Sequence, residues 1–154
     1  MKNIQYSINT LRSTRLFVLD LMGKFSYEQL TTVPAGFSNS MLWNFGHIVV
    51  VQQLLIYGLS GNELHLDKNI VHLFKKGATG KETLSKKEFE YLKIRSLELV
   101  DLLEKDYERI CQTDYTQFMT GLNVELNNVD EAIEFNNIHE AVHIGVMMGI
   151  SKLV

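Results

Sequence analysis

The sequence predicts an all-α fold, and three observations support this prediction. Apolar residues recur at intervals of three and four over long segments, as expected for helices that bury one face. Pro34 is the single proline in 154 residues, so few positions interrupt a helix. Hydrophobic residues make up 45% and charged residues 21% of the chain, a composition typical of a globular protein. We therefore expect one helical domain over residues 1–154.

The first predicted helix follows an apolar stripe and ends near Gly23. The stripe consists of Ile4, Ile8, Leu11, Arg15, Val18 and Met22. A short turn of helix is predicted after Ser26, because Ser26 and Gln29 have the spacing of a capping box. Pro34 and Gly36 should end this turn before the next long segment begins.

The second long helix is predicted over residues 38–57. Three polar residues at its start can accept hydrogen bonds from its free N–H groups and so serve as the N-cap: Ser38, Asn39 and Ser40. Gly58 is placed to end the helix. This helix carries His47, which becomes important below.

The third long helix has the clearest start signal in the chain. Ser85 and Glu88 form a full capping-box pattern, and apolar residues continue periodically, so the helix is predicted over residues 85–110. The segment before it, residues 61–81, is weakly periodic and is interpreted as a connection. Residues 70–74 within that connection are apolar enough to form a turn or two of helix.

The fourth long helix is predicted from Asn128, as N-cap, to about Lys152, with acidic residues in its first turn. Residues 111–128 before it are rich in Thr, Asn and Gly, so we expect a mostly irregular connection, with a short helix near Tyr115 as an alternative. Four long amphipathic helices bury their apolar faces most simply in a four-helix bundle. That is the predicted architecture.

Composition and charge argue against several functions. The net charge of −3 gives no general attraction to nucleic acid, so no nucleic-acid partner is expected. The start of the chain lacks the apolar core of a signal peptide, and no apolar run approaches the ~20 residues that span a bilayer. Cys111 is the single cysteine, so no intrachain disulfide can form, and we expect a cytoplasmic location with no membrane partner. Its thiol is interpreted as inert or buried.

His139 and His143 carry the strongest chemical signal in the sequence. Positions four apart on a helix lie about 40° from each other, so both imidazoles can bind one metal ion. The string from His139 to His143 also matches the H-E-x-x-H pattern of zinc peptidases. The metzincin form of that pattern needs a further histidine downstream, and residues 144–154 contain no His, Asp, Glu or Cys. A peptidase is therefore poorly supported.

The best candidate for a third metal ligand is His47, because ligands from facing helices can converge in a bundle core. Taken alone, His47 is better explained as a buried histidine satisfied by one hydrogen bond; the pair on the fourth helix changes that balance. His65 and His72 lie in the weakly periodic connection and are interpreted as ordinary solvated residues.

Residues beside the histidines are candidates for supporting roles. Asn44, one turn before His47, and Asn136, one turn before Glu140, can orient the ligands by hydrogen bonding. Glu140 is the candidate catalytic residue, a general base acting on water at the metal; the alternative is an exposed carboxylate or a salt-bridge partner. Trp43 and Phe45 are expected to pack in the core or line the pocket.

These residues resemble the DinB/YfiT-like metalloenzyme superfamily. The resemblance rests on residues 43–48 (WNFGHI), on residues 139–145 (HEAVHIG), and on the preceding loop, residues 33–39 (VPAGFSN). It spans nearly the whole chain and implies that His47, His139 and His143 bind one divalent ion, usually nickel or zinc. Many members continue the second motif as His-x-Gly-Gln, whereas this chain has Val146 after His143, Ile144 and Gly145. Any polar role of that glutamine is therefore lost here.

The resemblance also suggests a reaction. Characterised members of the superfamily include enzymes that transfer low-molecular-weight thiols and a thiol-dependent isomerase. The resemblance therefore implies a metal-dependent thiol S-transferase acting on a small electrophilic molecule, with such a thiol as cosubstrate. Two alternatives stay open: a hydrolase that uses a metal-bound hydroxide, and a non-enzymatic helical bundle with a vestigial metal site. Relatives commonly form homodimers, so a homodimer is expected as well.

Overall fold

The computed structural model describes residues 4–78 and 84–154. Six α-helices dominate this part of the chain, with one π-helical turn, Leu54–Gly58, and two very short strands. The helices are α1 (Ile4–Met22), α2 (Tyr27–Thr31), α3 (Met41–Gln53), α4 (Lys68–Phe74), α5 (Lys86–Ile110) and α6 (Val129–Ile150). The strands are β1 (Phe118–Met119) and β2 (Glu125–Leu126). The all-α prediction is confirmed.

The four predicted long helices correspond to α1, α3, α5 and α6. Helix α1 packs against both α5 and α6, and α6 packs against α3. The four-helix bundle, as a more exact architecture, stays a prediction, and so does the single domain over residues 1–154. Among the described residues, no helix is both long enough and apolar enough to cross a membrane.

Helix starts follow the predicted caps closely. Ser26 and Ser85 each form a complete capping box with the residue three positions later. Asn128 caps α6 by accepting a hydrogen bond from the Glu131 backbone N–H. At α3 the N-cap is Ser40, whose side chain accepts from the Trp43 N–H, so this helix begins later than predicted.

The second predicted helix also ends differently from the prediction. After Gln53 the chain widens into the π-helical turn, in which the Leu59 N–H donates to the Leu54 carbonyl oxygen at 3.0 Å. The short helix predicted within residues 70–74 is confirmed as α4. The connection that contains it, residues 61–81, continues past Ala78 into residues 79–81, which lie outside the described part of the chain.

The alternative of a helix near Tyr115 is wrong. Tyr115 lies outside any helix or strand, and its hydroxyl donates to the Leu55 carbonyl oxygen at 2.9 Å. Strands β1 and β2 then form an antiparallel hairpin that pairs Phe118 with Leu126. Asn123 in the turn adopts a left-handed backbone conformation with φ 57°, which asparagine tolerates better than most residues.

The core consists of two hydrophobic clusters with a polar layer between them along the helices. On α1, Arg15 separates Leu11 of one cluster from Val18 of the other; on α6, Glu140 separates Phe135 from Ile144. Among the described residues, the polar side chains with no exposed surface are Arg15 on α1, Gln52 and Gln53 on α3, Ser96 on α5, and Asn136 and Glu140 on α6. Such groups are tolerated in a core when they are hydrogen-bonded, and each of these side chains makes at least one hydrogen bond.

Gly46 on α3 leaves room for the ring of Phe74, the last residue of α4. A methyl group at this position would lie 2.5 Å from the buried Phe74 ring. Gly46→Ala should therefore lower the free energy of unfolding by about 1–3 kcal/mol, because a well-packed ring must move. Gly145→Ala is the matched control: a methyl group there meets open space, so it should raise stability by about 0.5–1 kcal/mol through helix propensity. Urea unfolding measures both, and a Gly46→Ala protein as stable as wild type would contradict this packing.

Candidate metal centre

The structure brings the three predicted ligands together from two helices. His47 lies on α3, and His139 and His143 lie one turn apart on α6. Each contributes a potential ligand atom, and these atoms lie within 4.8 Å of one another. The ring centroids are 5.3 Å apart for His47 and His139, 4.8 Å for His47 and His143, and 4.6 Å for His139 and His143. Such a cluster could hold one ion.

His47 is fixed on two sides. Its Nδ1–H donates to the Phe74 carbonyl oxygen at 2.6 Å, at the C-terminal end of α4. Because a carbonyl oxygen can only accept, this bond assigns the proton to Nδ1 and leaves the lone pair on Nε2. The Trp43 ring stacks on the imidazole with a centroid distance of 4.7 Å and an interplanar angle of 13°.

His143 is fixed by a hydrogen bond to Asn44, one of the two residues for which a supporting role was predicted. The Nδ1–H of His143 donates to Asn44 Oδ1 at 2.7 Å. The amide of Asn44 is oriented in turn, since its Nδ2 donates to the Ser40 carbonyl oxygen at 2.8 Å. Ser40, the N-cap residue of α3, therefore orients Asn44, and Asn44 orients His143 on α6. Because Nδ1 of His143 carries the proton, its Nε2 keeps the lone pair.

His139 differs from the other two histidines in that its Nδ1 is buried and has no hydrogen-bond partner among the described residues. A buried ring nitrogen without a partner costs free energy unless something outside the protein satisfies the imidazole. Together with the free lone pairs on His47 and His143, this orphaned nitrogen fits a site built for a bound cation. Neutral imidazole is a preferred ligand of zinc, nickel and similar ions.

The pKa values of the three histidines are shifted in the direction that metal binding requires. Burial lowers the pKa of His47. Burial, reinforced by the neighbouring histidines, lowers the pKa of His139 to about 3, and burial with the nearby His47 lowers that of His143 to about 4. All three rings are therefore neutral near pH 7, and their lone pairs are available without the loss of a proton.

Glu140, the predicted general base, is fully buried in an ion pair. Its Oε2 accepts from Arg15 Nε at 2.9 Å and its Oε1 from Arg15 Nη2 at 2.6 Å. Asn136, expected to support a histidine, instead donates its Nδ2 to Glu140 Oε1 at 3.0 Å. Both carboxylate oxygens are thus engaged, which matches the salt-bridge alternative rather than a base free to accept a proton from water. A catalytic role for Glu140 stays a prediction.

Some of the other predictions for residues around the site are confirmed and one is wrong. Phe45 is fully buried and meets Phe89 edge-on, so its core role is confirmed. His72 is exposed, as predicted. His65 was expected to be solvated, and this is wrong: it is partly buried, because its ring packs edge-on against Tyr57 at a centroid distance of 4.8 Å. Cys111 is exposed.

Arg15 is the residue that sequence reasoning missed. The sequence did contain a sign of its role. Arg15 occupies a position of the apolar stripe on α1, where a charged residue needs a buried partner of opposite charge. The only carboxylate that α6 buries completely is Glu140, among the residues described. From the sequence alone, this misfit predicts that Arg15 needs an acidic partner, without saying which acidic residue supplies it.

Fold and site together define a helical protein with an interhelical three-histidine cluster suited to a divalent ion. The chain belongs to the DinB superfamily, whose sequence model matches residues 10–147. The matched part runs from α1 to near the end of α6 and includes all three histidines, so the resemblance stated from the sequence is confirmed. No curated protein matches the chain.

Asn44→Ala should weaken metal binding by roughly 10–100-fold, because His143 loses the partner that fixes its orientation and tautomer. Isothermal titration of the metal-free protein with Zn²⁺ measures this loss. Asn9→Ala, at an exposed position of α1, is the matched control and should bind like wild type. Equal affinity in Asn44→Ala and wild type would show that this hydrogen bond does not support a ligand.

The stability of the metal-free protein should decrease as the pH falls. A histidine in the unfolded chain titrates near 6.5, whereas His139 and His143 titrate near 3 and 4 in the folded protein. Between these values the unfolded chain binds more protons than the folded chain, so acid favours unfolding. The histidine contribution is fully present above about pH 6.5 and is lost as the pH falls through the folded pKa values.

Carboxylates also titrate at low pH, so this prediction is tested by comparison. Urea unfolding from about pH 7 to about pH 4 should show a smaller loss of stability in His139→Gln/His143→Gln than in wild type. His72→Gln, which changes an exposed histidine, should follow wild type. The same pH dependence in all three proteins would contradict the burial of neutral histidines.

Proposed function

We propose that this DinB-superfamily protein binds one divalent cation, zinc or nickel, at His47, His139 and His143 and activates a small thiol for attack on an electrophilic small molecule. The observation that carries the proposal is the chemistry of the donor set. Three neutral imidazoles converge within 4.8 Å, and no carboxylate belongs to this cluster among the residues that the structure describes. The ligands therefore leave the charge of a divalent ion uncompensated.

Three protein ligands are typical of catalytic zinc sites, which keep a fourth position open for water or substrate. A bound divalent cation would supply the positive charge that favours the deprotonated form of a thiol. The protein's own contribution is to hold the donor nitrogens in place. Phe74 fixes the tautomer of His47, Asn44 fixes that of His143, and Trp43 covers one face of the His47 ring.

The proposed overall reaction is a nucleophilic substitution. The sulfur of the thiol forms a bond to an electrophilic carbon, the leaving group departs with the electron pair of the broken bond, and the thiol proton passes to solvent. No general base from the protein is needed, because a thiol loses its proton far more readily than water does. The protein needs only to position two small molecules beside each other.

The placement of Glu140 favours thiol transfer over hydrolysis. A hydrolase at this site would need a base to accept a proton from water, and the sequence offers Glu140 for that role. Both oxygens of Glu140 accept hydrogen bonds from Arg15, and the carboxylate has no exposed surface. A base held in this way cannot approach a substrate without breaking a buried ion pair.

Metal content is the first test of this proposal. Protein purified without chelator and then loaded with Zn²⁺ or Ni²⁺ should hold close to one ion per chain by plasma emission spectrometry, and His139→Ala should hold far less, since one of the three ligands is gone. His72→Ala is the matched control and should bind like wild type. A wild-type protein that holds no stoichiometric metal after loading would refute the proposed site.

Thiol dependence is the second test. A chlorinated or brominated aromatic electrophile should disappear faster with a low-molecular-weight thiol and metal-loaded protein than with either alone, as followed by absorbance. His139→Ala and chelator-treated protein should lose this acceleration, because the thiol is no longer activated. Absence of acceleration with every biological thiol tried would contradict thiol transfer. Hydrolysis of an activated ester by the same metal-loaded protein would then support the hydrolase alternative.

A further inference from the structure

Arg15 makes an unusual set of contacts for a residue that carries no chemistry. It is fully buried on α1, and its guanidinium reaches each of the other three long helices. Nη1 donates to the Ser96 carbonyl oxygen on α5 at 3.1 Å. Nη2 donates to the Ile48 carbonyl oxygen at 3.2 Å and to Gln52 Oε1 at 3.2 Å, both on α3. The remaining bonds go to Glu140 on α6.

Two of these contacts fall directly beside the metal-ligand candidates. Ile48 follows His47 in the chain, and Glu140 follows His139. One guanidinium therefore binds the immediate neighbours of a histidine on each of the two helices that build the cluster. The positive charge of Arg15 is also close enough to His139 to contribute to the lowering of its pKa.

We propose that Arg15 is the positioning residue of the metal centre. Its ion pair with Glu140 fixes the rotation of α6, its bonds to Ile48 and Gln52 fix α3, and the two helices are thereby held in the register that makes the histidines converge. Asn136 braces the pair by donating to Glu140 from one turn earlier. This inference rests on the proposed function only in that the positioned group is a metal site.

The geometry explains why an arginine is needed rather than a lysine. The guanidinium is planar and offers donors in a fixed fork, so one side chain can hold a carboxylate with two parallel bonds while its remaining N–H groups reach other helices. A lysine ammonium carries the same charge with a single nitrogen. It could pair with Glu140, but it could not also span the distance to Ser96 and Ile48 with defined directions.

Arg15→Lys is accordingly the informative variant, because it keeps the charge beside His139 and removes the fork. Its dissociation constant for Zn²⁺ should rise by roughly 10–100-fold, as is found when residues that orient metal ligands are replaced. Asn136→Ala, a milder change that leaves the ion pair in place, should shift the affinity in the same direction by less. It also preserves the test if Arg15→Lys does not fold.

Two controls separate positioning from a general loss of stability. Arg12→Lys makes the same replacement one turn earlier on α1, where Arg12 pairs with Asp101 and Glu104 on α5 and is partly exposed; its Zn²⁺ affinity should equal that of wild type. Leu103→Ala removes fully buried core volume on α5 and should lower the melting temperature without changing the affinity of the folded protein. A Leu103→Ala protein that loses affinity as much as Arg15→Lys would overturn the inference.

A measurement on the metal-free protein makes the inference independent of metal binding. Side-chain ¹⁵N NMR spectra report the Nδ1–H bonds that His47 makes to Phe74 and that His143 makes to Asn44. In Arg15→Lys these imidazole signals should shift or broaden, and in Arg12→Lys they should not. Unchanged signals, or wild-type Zn²⁺ affinity in a folded Arg15→Lys protein, would refute the positioning role. Failure of the wild-type protein to bind metal would refute the proposed function alone, and the NMR comparison would still decide the role of Arg15.

Discussion

The structure depends on one constraint, the burial of a charged arginine among four long helices. Arg15 and Glu140 have no exposed side-chain surface, so each charge must be compensated inside the protein. Breaking such a pair by removing one partner typically costs about 3–5 kcal/mol, because the other charge is left buried alone. The pair adds little net stability over an apolar core, but it restricts how the helices can pack. Any rotation of α6 that separates Glu140 from Arg15 is strongly disfavoured.

The histidine cluster lies beside this constraint and shares its surroundings. Burial, which makes the ion pair obligatory, also lowers the pKa of each histidine, and so keeps the metal-ligand candidates neutral. The hydrogen bonds that Phe74 and Asn44 accept from His47 and His143 then decide which ring nitrogen carries a proton. Different parts of the chain therefore act on the histidines. Arg15 on α1 holds Glu140 beside His139, whereas Phe74 and Asn44 fix the tautomers of His47 and His143. This division of roles explains how a site of three histidines can be ordered before any ion arrives.

Much of this arrangement was predictable from local sequence. The capping boxes at Ser26 and Ser85 placed two helix starts correctly, because a cap is a local hydrogen-bonding pattern. The i, i+4 spacing of His139 and His143 indicated a shared ion for the same reason. The π-helical turn after Gln53 and the hairpin of β1 and β2 were missed, since a single widened turn and two-residue strands leave almost no periodic signal.

The long-range contacts were not predictable in detail. Arg15 and Glu140 are 125 positions apart, and no local sequence pattern indicates that they are in contact. Only the presence of a charged residue in an apolar stripe indicated that Arg15 has a partner. The sequence left open whether Glu140 acts as a base or as a salt-bridge partner, since an angle on a helical wheel cannot reveal which neighbour occupies the space beside it. The bond from His47 to Phe74 likewise depends on how α4 folds back on α3, which no pattern in either segment specifies.

The most direct measurement is a crystal structure of the metal-loaded protein with anomalous diffraction recorded at the absorption edge of the metal. The account predicts one anomalous peak per chain, about 2.0–2.1 Å from one nitrogen of each of His47, His139 and His143 if the ion is zinc, with Arg15 still paired to Glu140. A peak elsewhere, or Glu140 released from Arg15 and bound to the ion, would contradict it.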